Sequence, residues 1–243
     1  AVGSVGLLTW MTSSISLLNK VGSEVSVGQA IGMKDETATR CFSTHNLTLS
    51  LIISLVWASI LFIFANHIIG IYELKGHIAY NAVNYLRIVS TAFPFVFMSA
   101  AFTGIFNAAG RSKIPFTINS IGLVINMILD PLFIFVFNWE TNGAALATWI
   151  AQSCVFSLFI YQLKFKQILW NDFCFFGKLK RIYTTKILRI GLPVAILNSL
   201  FAFVNMFLGR TASTVGGHIG LMAMTTSGQI EAITWNTSQG FST

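Results

Sequence analysis

Charge is what this sequence lacks. Only 9% of its 243 residues are Asp, Glu, Lys or Arg, against 54% hydrophobic residues and a mean hydropathy of +0.72. A water-soluble domain carries roughly 25% charged residues, so the charges present cannot coat a soluble surface. Cysteine is scarce too. Cys41, Cys154 and Cys174 stand apart with no CxxC spacing, which leaves neither a disulfide framework nor a zinc site and reads as three packing residues. His45, His67, His77 and His218 sit at the ends of apolar segments, with no two at i and i+4, so no metal cluster is expected. Glycine-rich phosphate loops, Ser/His/Asp sets and paired-carboxylate motifs are missing, which argues against an enzyme. No cleavable signal peptide is visible.

What the sequence does have is long apolar runs. A helix needs about 20 mainly apolar residues to cross a bilayer. Segments at 2–28, 45–70, 78–109, 114–138, 142–163, 187–209 and 218–243 meet or approach that length, the last cut short. Nothing alternates like a barrel strand, and backbone groups in lipid must be satisfied internally, so these are helices. The expected fold class is all-α, a polytopic helical membrane protein with six spans plus a truncated seventh. The chain opens without Met inside an apolar run and stops at Gly240-Phe-Ser-Thr243, so a piece of a longer protein is expected.

The cations are ordered along the chain. Odd-numbered connections carry Lys34, Arg40, Arg111, Lys113, Lys164, Lys166, Lys178, Lys180, Arg181 and Lys186, with Arg189 just inside the next helix; even ones carry only Lys75 and Arg210. This asymmetry of eleven to two puts the odd connections, 29–44, 110–113 and 164–186, in the cytoplasm. It also accounts for the net charge of +7 without a nucleic-acid partner. The 164–186 connection mixes Phe and Trp with Lys and Arg and is expected as a helix lying in the cytoplasmic headgroups.

Two acids stand where lipid leaves them little water. Asp130 interrupts the uncharged stretch from Pro115 to Phe137. A carboxylate at mid-membrane costs roughly 2.5–3.5 kcal/mol and needs a partner, a cavity or a proton. Asn119, Asn126 and Asp130, at i, i+7 and i+11, fall within about 40° of one another on a helix and make one polar stripe. Thr148 and Gln152, at i and i+4, share a face of the next helix. A hairpin turn near Glu140–Thr141 puts Asp130 ten residues before it and Thr148 eight after, hence both about 12–15 Å from the turn. A carboxylate, an amide carbonyl and a hydroxyl at one depth are hard oxygen ligands for Na⁺, or a setting for a proton held on Asp130. The alternative is that Asn126 and Asp130 only cap or cross-link neighbouring helices. Pro131 withholds a backbone hydrogen bond and permits a kink.

Glu231, beside Gln229 and Trp235 in the last segment, is either a second protonation or cationic-substrate site or a structural hydrogen-bonding acid. Lys20 and Glu24, at i and i+4, read as a mutually neutralised pair near the inner interface. Arg87, about ten residues into the third segment, reaches for the outer interface.

Several stretches together resemble one transporter family. They are Val27-Gly-Gln-Ala-Ile-Gly-Met-Lys-Asp35, Tyr85-Leu-Arg-Ile88 with Pro94-Phe95, and Gly104-Ile-Phe-Asn-Ala-Ala-Gly-Arg-Ser-Lys-Ile-Pro115. Asn126-Met-Ile-Leu-Asp-Pro131, Gly143-Ala-Ala-Leu-Ala-Thr148 and Leu188-Arg-Ile-Gly-Leu-Pro193 follow. In this order and spacing, over nearly the whole chain, they are similar to the multidrug and toxic compound extrusion (MATE) family, of the bacterial NorM/DinF-like kind.

The resemblance implies a two-lobe helical bundle of twelve helices around a V-shaped cavity, of which this chain would hold helices two to seven and part of eight. The expected divisions are 1–163 for N-lobe helices two to six, 164–186 for the interlobe connection and 187–243 for the start of the C-lobe. The implied activity is export of amphipathic, cationic organic compounds across the cytoplasmic membrane in exchange for Na⁺ or H⁺. The implied form is a monomer with no cofactor beyond the coupling ion and no metal beyond Na⁺ at Asp130. In the family an Asn and an Asp four apart on helix five, with a Thr on helix six, belong to the N-lobe cation site; these match Asn126, Asp130 and Thr148. A further Asp on the family's helix one completes that site, and helix one is not part of this sequence. Some members carry an essential Glu on helix seven, eight residues after the Pro of Gly-Leu-Pro. Phe201 stands there, a departure that favours coupling in the N-lobe. Asn119, Gln152, Gln229 and Glu231 are accessory cavity candidates. Two rivals are a flippase of lipid-linked precursors in the same superfamily, against which the few intramembrane cations argue, and a seven-helix receptor.

Overall fold

The computed structural model describes residues 2–70, 77–164, 177 and 179–242. Its elements are α1 (Val2–Gly32), α2 (Glu36–Ile63), α3 (Ala65–Gly70), α4 (His77–Ala108), α5 (Lys113–Pro131), a π-helical turn (Leu132–Val136), α6 (Glu140–Lys164) and α7 (Arg181–Ser242). No strand occurs among the described residues. Two compact units are present, residues 1–197 and 198–243, and α7 contributes to both.

Tight turns join the helices of the first unit. α1 ends in a Schellman motif, with Lys34 N–H bonded to the Ile31 carbonyl, Asp35 N–H to the Ala30 carbonyl, and Lys34 left-handed at φ 57°. Asp35 then caps α2, its carboxylate accepting from Ala38 N–H at 2.9 Å. The end of α4 repeats the motif with Gly110 at φ 71°, where glycine meets no steric penalty.

α4 is the central helix, packed against α1, α2 and α6. Its buried Phe102 and Phe106 meet the buried Phe159 of α6, with the Phe102 and Phe159 rings 5.6 Å apart and nearly parallel. Glycines set the tightest crossings. Gly104 of α4 lies on the Lys20 carbonyl and Ser23 of α1, Gly122 of α5 on Val155 of α6, and Gly191 of α7 on the Leu18 backbone of α1. Small residues let helices approach closely where lipid supplies little drive for association. By contrast Phe116, Leu123, Met127, Ile128, Phe135 and Val136 of α5 and its π turn are exposed, a continuous apolar face for hydrocarbon or for further protein.

Several expectations are corrected. Among the described residues, five helices are long and apolar enough to cross a membrane. α1 has the length, with 31 residues, but carries Asn19, Lys20, Ser23, Glu24 and Ser26, which lower its hydropathy; it packs against α2 and α4. The span expected at 45–70 starts as a helix at Glu36 and is interrupted at Phe64. Apolar windows mark the membrane-buried stretch, whereas Asp35 sets the helix start. The hairpin turn expected at Glu140–Thr141 lies at 137–139, with Asn138 at φ 55°. Lys20 and Glu24 form no ion pair. Both are half-exposed, and holding two long side chains together gains little where water reaches them. Arg40 and Glu36 do pair, at 3.5 Å.

The separate spans expected at 187–209 and 218–243 fall within α7, and the expected connection at 210–217 is helical. No proline breaks it, and Thr211 and Thr214 hydroxyls donate back to the Phe207 and Thr211 carbonyls of the preceding turn. The helix is not straight, however. A Cβ at Gly220 would lie 2.5 Å from the Ala212 carbonyl oxygen, whereas eight residues of straight helix rise about 12 Å. The chain therefore bends sharply between Ala212 and Gly220. The interfacial helix expected at 164–186 and Cys174 fall mostly outside the described residues.

Candidate functional site

The α5–α6 hairpin carries the polar residues singled out above. Gly122 facing Val155 and Gly143 facing Phe133 fix its register. Interpolated between those contacts, Thr148 is level with residues 128–129, between Asn126 and Asp130, and Gln152 lies about one turn farther along α6.

Asn126 and Asp130 are brought together. The Asn126 amide Nδ2 donates toward the Asp130 carboxylate at 3.5 Å, a long contact between two half-buried side chains. Asp130 is the penultimate residue of α5. Pro131 follows it without an N–H, so the Met127 carbonyl one turn back loses its usual donor. Immediately beyond, the helix widens into the π turn Leu132–Val136, a feature frequent at functional sites. Thr148 lies at the matching level, but its hydroxyl donates to the Ala144 carbonyl of its own helix at 3.0 Å. No hydrogen bond among the described residues joins it to Asn126 or Asp130. As an acceptor its oxygen is still available, because a hydroxyl keeps its lone pairs when it donates.

The other candidates are more dispersed. Gln152 is half-buried on α6, while Asn119 is exposed near the start of α5. Gln229 and Glu231 are exposed in the 198–243 unit. Phe201, where some members of the resembling family carry a Glu, is exposed as well.

Sequence reasoning missed Tyr85 as a site residue. It sits half-buried on α4, and its hydroxyl lies within electrostatic range of the Asp130 carboxylate. A phenol six residues inside the apolar span that begins at Ala79 needs a polar partner, and that was the signal available. The α4–α6 contact that holds this region is aromatic, with Phe95 meeting Trp149 edge-on at 5.7 Å.

The family model described as MatE matches residues 1–132, more than half of the chain. The chain belongs to the MatE family. The match spans α1 to the end of α5 and so includes Asn126 and Asp130. Members of the family are transporters rather than enzymes, which also removes the receptor reading. A probable multidrug resistance protein of Bacillus subtilis, YoeA, is 30% identical over 238 residues, covering 92% of this chain and 51% of the relative. The multidrug export protein MepA of Staphylococcus haemolyticus is 26% identical over 200 residues, covering 82% and 44%. Among solved structures, an inward-facing multidrug resistance MATE transporter of the MOP superfamily superposes with a TM-score of 0.87 at 23% identity, over 96% of this chain and 53% of that one. The chain spans about half the length of the curated relatives it matches. It is a helical multi-pass membrane protein with the MATE fold.

Proposed function

We propose that the protein is a cation-coupled antiporter that exports amphipathic, cationic organic compounds from the cell, with Asp130 binding the coupling ion. The observation that carries this is the half-buried Asp130–Asn126 pair within an apolar helix, one residue before the proline and π turn. Asp130 supplies the charge, and Asn126 Oδ1 and Thr148 Oγ1 supply neutral oxygens. Such a set suits Na⁺, or a proton in its place. An incoming cation neutralises the carboxylate, and the loosened backbone around Pro131 gives the helix a point at which to reorient. Reorientation then exchanges access to a central cavity from one side of the membrane to the other, as in alternating access.

On this reading residues 1–163 belong to the N-lobe and 187–243 begin the C-lobe. The protein works as a monomer in the cytoplasmic membrane, with small organic molecules and lipid as its partners and no cofactor other than the coupling ion. Asn119, Gln152, Gln229 and Glu231 are accessory cavity positions. That MepA is named a multidrug export protein and YoeA a probable multidrug resistance protein supports the substrate class.

Direct ion binding tests the site. Purified full-length protein should take up Na⁺, or a proton as pH falls, in a saturable manner that Asp130→Asn abolishes and Asn126→Leu weakens. Equal uptake by wild type and Asp130→Asn would remove Asp130 from the coupling site.

A further inference from the structure

Arg87 is a cation that the proposed transport chemistry does not use. It lies on α4 eight residues inside the span that begins at Ala79, hence about 12 Å along the helix from its start. Its guanidinium carbon stands over the Phe62 ring at 5.8 Å, while Nε is buried with no hydrogen-bond partner. No described carboxylate is paired with it. An arginine at that depth is costly unless its charge is met.

Beside it is a cavity of about 300 Å³ between α3 and α4, lined among others by Asn66, Gly70, Tyr80, Val83, Asn84 and Arg87. That volume is at the lower end of small-molecule sites, roughly 300–1,000 Å³. None of the described lining residues is an acid. It offers the guanidinium fork, two carboxamides and a phenol, all able to donate hydrogen bonds. Tyr80 is largely exposed at the rim, the position tyrosines favour at a membrane–water boundary. The cavity opens at the end of the helices opposite the α1–α2 and α4–α5 turns, and its lining does not include Asp130, Asn126 or Thr148.

We propose that this α3–α4 cavity is a phosphate-binding site in which Arg87 holds a phosphate group, supplied by a phospholipid headgroup of the adjoining leaflet or by free phosphate. A guanidinium matches two phosphate oxygens at once, and Asn66, Asn84 and Tyr80 can donate to the remaining ones. The Phe62 ring below supports the guanidinium plane through its π face.

The test is native mass spectrometry of the purified full-length protein with phosphatidylglycerol, comparing wild type with Arg87→Gln, Arg87→Lys and Asn84→Leu. Wild type should retain a defined number of lipid molecules. Arg87→Gln should bind one of them about tenfold more weakly or worse. Arg87→Lys should fall between, because it keeps the charge but not the fork. Displacement of that lipid by excess inorganic phosphate would mark a site open to free phosphate, and resistance to displacement a lipid site. Equal lipid retention by all four proteins overturns the proposal. Should Arg87→Gln fail to fold, unchanged retention in Arg87→Lys and Asn84→Leu overturns it alone.

Discussion

Gly104→Ala adds a single methyl group at one of the tightest crossings among the described helices. Its Cβ would fall against the Lys20 carbonyl oxygen and 2.8 Å from Ser23 Cβ. Carbon atoms pack at roughly 3.5–4.0 Å, so α1 and α4 must part locally by about 1 Å. The obstacles are a backbone carbonyl and a Cβ, neither of which swings aside as the tip of a long side chain would. Overpacking of this kind costs about 1–3 kcal/mol, and the rigidity of the obstacles puts the cost in the upper half of that range. Alanine returns up to about 1 kcal/mol of helix propensity over glycine. The net expectation is destabilisation by about 1–2 kcal/mol. Gly28→Ala is the matched control on the same pair of helices, since its nearest neighbour is Ala108 Cβ at 3.9 Å, an ordinary contact. There the propensity gain stands alone and the protein should hold or gain stability. Thermal melting of the full-length protein, followed by loss of the monodisperse peak in size-exclusion chromatography, separates the two. A Gly104→Ala protein that melts as high as Gly28→Ala refutes the reasoning.

Other substitutions probe different links. Trp57→Phe removes the indole N–H that donates to the Thr12 hydroxyl at 3.0 Å and should cost about 0.5–1.5 kcal/mol in the same melting assay. His45→Phe leaves the Lys180 N–H without the imidazole acceptor it reaches at 2.9 Å; trypsin should then cut faster after Lys180, the start of α7 loosening by about 1–3 kcal/mol. Pro131→Ala restores a donor for the Met127 carbonyl, so the protein should melt higher, while export should slow if the π turn serves the transport cycle. An unchanged melting temperature would show that the proline imposes no cost where it stands.

The spans were legible because apolar length is a direct consequence of bilayer thickness, and Asp130 because a lone acid stands out in 23 residues without another charge, Pro115 to Phe137. Helix limits were less legible. Capped by Asp35, α2 begins at Glu36, nine residues before its apolar window at 45, and hydropathy is blind to a cap. Phe64 interrupts a run that is apolar on both sides, so composition offered no signal there. The π turn after Pro131 was half visible, since the proline announced a lost hydrogen bond but not how the backbone would absorb it. The placing of Tyr85 near Asp130 was not legible because it depends on which face α4 turns to its neighbours, and that is set in three dimensions by close packing such as Gly104 against α1. The connection expected at 210–217 is instead helical, since polarity alone does not say whether a helix ends.

The central claim rests on Asp130, and ethidium efflux tests it most directly. Cells carrying the full-length protein would be loaded with ethidium and energised by an imposed Na⁺ or pH gradient, with wild type and Asp130→Asn compared at equal expression. Gradient-driven efflux in wild type, lost in Asp130→Asn, is the predicted result, and the gradient that drives it identifies the coupling ion. Undiminished efflux from Asp130→Asn would contradict the account.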